Sequence, residues 1–230
     1  KTGSNSLPFS ADASILHANW DKFQHLMAYE LLMPLKIDEI NRNKRFLGQL
    51  KTKLEKHSEP EPYLIADLIN NAERRARKEQ KYDDAVARLY RTIELIAHYL
   101  LKKFYGIDPA NVDAAALPKN LLVDFGIPEG MKSLKLALEK SYKLLEAKGH
   151  EIGKKYVEDR KLRDLLSKRN TSILAHGLEP VKEETYIELR EKVIEYAEAA
   201  VPNLEQLIED STFIQLNENP TQFGNTMRGV

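Results

Sequence analysis

Arg169, Asn170 and His176 stand together in the stretch Arg169-Asn170-Thr171-Ser172-Ile173-Leu174-Ala175-His176-Gly177. An arginine carries a fixed charge on a planar fork of donors that suits a phosphate. A histidine titrates near neutral pH and can give and take protons in turn. Seven residues make nearly two helical turns, so in a helix Arg169 and His176 share one face, about 10 Å apart along the axis. Asn170 lies ~100° around from Arg169, placed to orient a phosphate or a ribose hydroxyl. The set suits phosphodiester chemistry, with Arg169 steadying the phosphate and His176 moving a proton. The same residues also fit a plainer arrangement: Arg169 in a surface salt bridge, Asn170 facing solvent, His176 capping a helix end.

The elements that must carry these residues read as helices throughout. The motif ends a helix expected over Tyr156–His176, with Gly177 as its C′ residue and Pro180 blocking continuation. Before it, a first helix is expected from about Ala13, capped by Ser10 or Asp12, with Leu16, Trp20, Phe23, Met27 and Leu31 at helical spacing and a break at Pro34. Helical spacing resumes from Leu35 to Leu54, and Ser58-Glu59-Pro60-Glu61-Pro62 reads as a linker. Further helices are expected over Tyr63–Gln80, over Tyr82–Tyr105 with Gly106 ending it, over Met131–Lys148, and over Glu183–Glu209 with a kink at Pro202. Residues 107–130, with three prolines, read as a long connection holding short helical pieces at most. No strand pattern of useful length is present. The class is all-α.

The chain has 230 residues, 42% hydrophobic and 30% charged, which fits a globular helical protein. Lys and Arg total 35, as do Asp and Glu, so there is no global basic bias and any positive site for nucleic acid must be local. With no cysteine, disulfides, thiolate metal sites and cysteine nucleophiles are excluded. No apolar run approaches the ~20 residues that span a bilayer. Lys1-Thr2-Gly3-Ser4-Asn5-Ser6 reads as a linker at the start of a piece of a longer protein. Basic runs at Arg74-Arg75-Ala76-Arg77-Lys78 and Lys102-Lys103 read as solvated helix faces. Arg160, Arg163, Lys168 and the Lys154-Lys155 pair lie nearer the motif and suit phosphate contacts better. Arg91 and Glu94 are spaced to pair on one helix.

An Arg, a polar residue and a His separated by six positions resemble the signature of the HEPN ribonucleases. The stretch Tyr82-Asp83-Asp84-Ala85-Val86-Ala87-Arg88-Leu89-Tyr90-Arg91-Thr92-Ile93-Glu94-Leu95-Ile96-Ala97, followed by Tyr105-Gly106-Ile107-Asp108, is similar to the CRISPR-associated branch, where a HEPN domain follows a CARF sensor. The resemblance implies a HEPN-like bundle of about five to six helices over 58–212, with 1–57 a helical extension toward a sensor domain and 213–230 a flexible tail. It implies a homodimer in which two Arg169, Asn170 and His176 sets face one another across a composite cleft, with Arg160, Arg163 and Lys168 guiding the RNA. The implied reaction is cleavage of single-stranded RNA in antiviral defence: the 2′-hydroxyl attacks the adjacent phosphate and leaves a 2′,3′-cyclic phosphate. No metal and no cofactor are called for. A cyclic oligoadenylate activator would act through a sensor domain, and no βαβ pattern for one is present. The expected setting is the cytoplasm. Two other readings stay open: a non-catalytic HEPN-like dimerisation or regulatory module, and the HEPN toxin of a toxin–antitoxin pair.

Overall fold

In the computed structural model the described residues are 9–169 and 179–214. They form eleven α-helices: α1 (Phe9–Asp21), α2 (His25–Leu32), α3 (Asn41–Glu55), α4 (Glu61–Glu79), α5 (Tyr82–Tyr105), α6 (Lys119–Asp124), α7 (Leu138–Ala147), α8 (Glu151–Glu158), α9 (Arg160–Lys168), α10 (Glu183–Ala200) and α11 (Leu204–Ser211). Two short strands, β1 (Val112–Asp113) and β2 (Ser133–Leu134), pair antiparallel with Val112 opposite Leu134. The fold is all-α, as expected; residues 58–212 hold eight of these helices, α4 to α11, rather than five or six, because two of the expected long helices give way to pairs and α6 forms in the expected connection.

α5 is the axis of the fold. Its stripe of Ala85, Leu89, Ile93, Ile96 and Leu100 is fully buried, since residues three and four apart fall on one face. α4, α7 and α10 pack along it. Gly106 ends it at φ +65°, where a glycine avoids the cost of a Cβ. α4 opens earlier than the expected Tyr63. Pro60 is its N-cap and Pro62 sits in its first turn, where a missing amide proton costs nothing, so the supposed linker is partly helix.

Four further elements differ from expectation. The first helix breaks at Lys22–Gln24, well before Pro34: Phe23 takes a left-handed φ of +59°, and the amides of Lys22 and Phe23 turn back to the Asn19 and Trp20 carbonyls. The helix expected from Met131 starts only at Leu138, because Ser133–Leu134 pair with Val112–Asp113 instead. The helix expected from Glu183 to Glu209 is two helices, since Val201 is extended and Pro202 cannot continue α10. Most relevant to the motif, the helix expected from Tyr156 is cut at Asp159 into α8 and α9.

One hydrophobic cluster takes side chains from all eleven helices. The N-terminal helices join it through polar contacts as well. Asp67 of α4, wholly buried, accepts from the Trp20 indole at 3.1 Å and lies 2.7 Å from His25 Nε2, with Arg74 3.8 Å away. Asn43 of α3 donates to the carbonyls of Asp210 and Thr212, and Asn70 of α4 to that of Ile208, so α11 is clamped from both sides. Phe213, just past α11, stacks on His17 at 4.5 Å and lies under the Arg74 guanidinium at 3.8 Å.

Gly153 sets how closely α8 can lie on α7. A Cβ there would stand 2.6 Å from the Leu145 carbonyl carbon and closer still to the Glu146 amide, both rigid backbone. Gly153→Ala should therefore push α8 away and lower stability by about 1–3 kcal/mol, read as a lower urea midpoint with an unchanged slope.

Candidate active site

The helix that carries Arg169 is held at its base. The Asp159 carboxylate accepts from the Leu162 amide at 2.9 Å, which caps α9, and its other oxygen binds Lys192 of α10 at 2.8 Å. Leu162, Leu165 and Leu166, spaced by three and four, bury one face of α9. Burial pushes the Asp159 carboxyl up, but the Lys192 ammonium and the Leu162 amide outweigh it, so the group sits below the ordinary carboxylate range. A depressed folded pKa adds stability above the unfolded value of about 4, and that part is lost as pH falls through the folded value. Asp159→Ala should cost about 1–2 kcal/mol at pH 7 by urea denaturation, with the gap to wild type closing toward pH 3.

Arg169 follows the last residue of α9 in helical backbone, φ −61° and ψ −33°. It is half-buried, and its guanidinium carbon lies 5.0 Å from the centre of the Tyr90 ring on α5. Its Nε is buried without a hydrogen-bond partner among the described residues. The acidic groups whose fields reach Tyr90 are Glu94 and Glu139. Both are engaged elsewhere: Glu94 takes Arg91, as the spacing predicts, and Glu139 takes Lys143 at 3.1 Å. Arg169 is thus held by an aromatic face, a contact worth about 0.5–2 kcal/mol, and keeps its charge unpaired by any described carboxylate. The Tyr90 phenol is pushed above its usual pKa, first by burial and then by Glu94, with Arg169 opposing.

Asn170 and His176 lie outside the described residues. The chain on both sides of 170–178 rests against α5: Arg169 on Tyr90, and the Val181 amide on Asp83 at 3.3 Å. Both anchors fall within the first three turns of α5.

The other basic candidates separate clearly. Arg160 and Arg163 on α9 are exposed, with no ion pair among the described residues, and Arg163 is close enough to affect the Tyr156 phenol. Lys168, in the last turn of α9, is also exposed. Lys154 and Lys155 are committed to Glu151 and Glu195, each at 2.8 Å, which weakens them as phosphate contacts. The run at Arg74 is a solvated face only in part. The side chains of Arg74 and Arg75 are only 12% and 17% exposed because Asp21, brought in by α1, pairs with both. Arg77, at 76%, and Lys78 are exposed. Lys102 binds Glu61, and Lys103 binds the Tyr99 hydroxyl. His150 caps α8 through Nδ1, His17 stacks on Phe213, and His25 is hydrogen-bonded to Asp67. Among the described residues no group of three or more His, Cys, Asp or Glu could hold a metal ion.

The Tyr90 ring beside Arg169 carries no signal in the sequence: nothing local links the two residues, and only the fold brings them together.

Residues 53–200 match the family described as the Csm6 HEPN domain, well over half of the chain. The chain belongs to this CRISPR-associated HEPN family. Tyr90, Arg169, Asn170 and His176 fall within the matched span. Among curated proteins none matches the chain.

Proposed function

We propose that this domain is an endoribonuclease that cuts single-stranded RNA without a metal ion, through Arg169 and His176. The observation that carries the reading is Arg169: a half-buried guanidinium, fixed at the end of α9 and unpaired by any described carboxylate, inside a HEPN-family segment. The 2′-hydroxyl attacks the neighbouring phosphate, and the 5′-oxygen of the next nucleotide leaves. Arg169 stabilises the charge that builds on the phosphorane oxygens. His176 moves a proton, and Asn170 orients the phosphate or the ribose. Two copies related by a twofold bring two such sets to one cleft, the commonest closed assembly for a homo-oligomer. Arg160, Arg163 and Lys168 extend the positive surface along α9, which supplies locally what the zero net charge lacks overall. A cyclic oligoadenylate signal would reach the domain from a sensor outside these 230 residues, in antiviral defence in the cytoplasm.

The test is incubation of the purified chain with labelled single-stranded RNA in EDTA, beside His176→Ala. Wild type should shorten the RNA and the variant should not. Equal cleavage by both, or cleavage only with added metal, rejects the reading.

A further inference from the structure

We propose that Tyr90 is a positioning residue for Arg169, its ring acting as a shelf that fixes the guanidinium plane and leaves the charge free for a phosphate. The inference rests on the ribonuclease reading and deepens it. An arginine at a helix end has many rotamers, and a phosphate clamp needs one of them. A carboxylate partner would fix the side chain but cancel its charge. The two carboxylates whose fields reach Tyr90 are paired elsewhere, Glu94 with Arg91 and Glu139 with Lys143, and the described contact of Arg169 is the face of Tyr90. The buried Nε, without a hydrogen-bond partner among the described residues, agrees with this, since a stack over a ring satisfies charge without supplying an acceptor. Tyr90 lies on α5, the helix with the most buried face in the fold, so the shelf is rigid.

The experiment compares Tyr90→Phe and Tyr90→Leu in the full chain. Single-turnover cleavage should stay within about threefold of wild type in Tyr90→Phe, which keeps the ring, and fall about tenfold in Tyr90→Leu, with KM changing much less. Tyr90→Leu added to Arg169→Ala should cost nothing further, because the shelf acts only through the arginine. The Arg169 Nε–H signal, identified by its loss in Arg169→Lys, should be ring-shifted and slow to exchange in wild type and Tyr90→Phe but not in Tyr90→Leu. Wild-type rate in Tyr90→Leu, an equal loss in Tyr90→Phe, or an added loss on top of Arg169→Ala overturns the proposal. A wild-type chain that cuts no RNA rejects the nuclease reading alone, and the Nε–H signal then decides whether Tyr90 holds Arg169.

Discussion

Arg169→Ala lowers the single-turnover rate of RNA cleavage by about a hundred- to a thousandfold while leaving the fold intact. The magnitude follows from the charge change in the reaction. The phosphorane carries more negative charge than the starting diester, concentrated on oxygens that a fixed guanidinium can meet with two parallel donors. Loss of one preorganised donor of this kind costs on the order of 10²–10³ in rate. Arg169→Lys should recover only part of the loss, because an ammonium has no fork and stacks poorly on Tyr90. Stability should change little, since the described contact of Arg169 is the ring and no buried carboxylate is left behind. His176→Ala should lose a comparable amount, ~10²–10⁴, the range of a general acid or base. The rates come from gel-resolved single-turnover assays, and thermal melts of each variant show whether the fold survives. A variant of Arg169 with more than a tenth of wild-type rate contradicts the assigned role.

Asp67→Ala destabilises the protein by about 3–5 kcal/mol, a drop in Tm of roughly 10 °C for a domain of this size. Asp67 is wholly buried and answers three groups from two directions: Trp20 and His25 from the N-terminal helices and Arg74 from its own helix. Removing it leaves the Trp20 indole N–H and the His25 imidazole without their acceptor, while Arg74 keeps its pairing with Asp21. A buried polar group left without its partner costs more than the bond contributes when intact. Asp67→Asn keeps an acceptor for Trp20 and should fall between the two. The consequence extends past stability: α2 loses its His25 tie to α4, which packs along α5 where Tyr90 lies, while α1 keeps its Asp21 contacts. Trp20 fluorescence followed through urea denaturation reads the effect, and a loss below 1 kcal/mol would contradict it.

The parts of this fold that were legible in the sequence are those governed by local periodicity. α5 runs over the expected Tyr82–Tyr105 because an apolar stripe and Gly106 bound it from within. α8 was not legible, since Gly149 and Gly153 look like interruptions; Gly153 is in fact the residue that lets the helix approach α7. The break at Asp159 depends on Lys192 from a distant helix, and β2 depends on pairing with β1. Arg74 and Arg75 looked solvated because their partner Asp21 comes from α1. At the site the contrast is the same. Arg169 is singled out by residue type, spacing and family resemblance together, whereas its contact with Tyr90 arises from tertiary packing that no short window contains.

The most direct measurement uses an oligodeoxynucleotide holding a single ribonucleotide, incubated with the chain in EDTA, with the ends of the products identified. Cleavage only on the 3′ side of that ribonucleotide, leaving a 2′,3′-cyclic phosphate and a 5′-hydroxyl, is the predicted result. Cuts at deoxyribose linkages, 5′-phosphate ends, or an intact strand would contradict attack by the 2′-hydroxyl at an Arg169–His176 site.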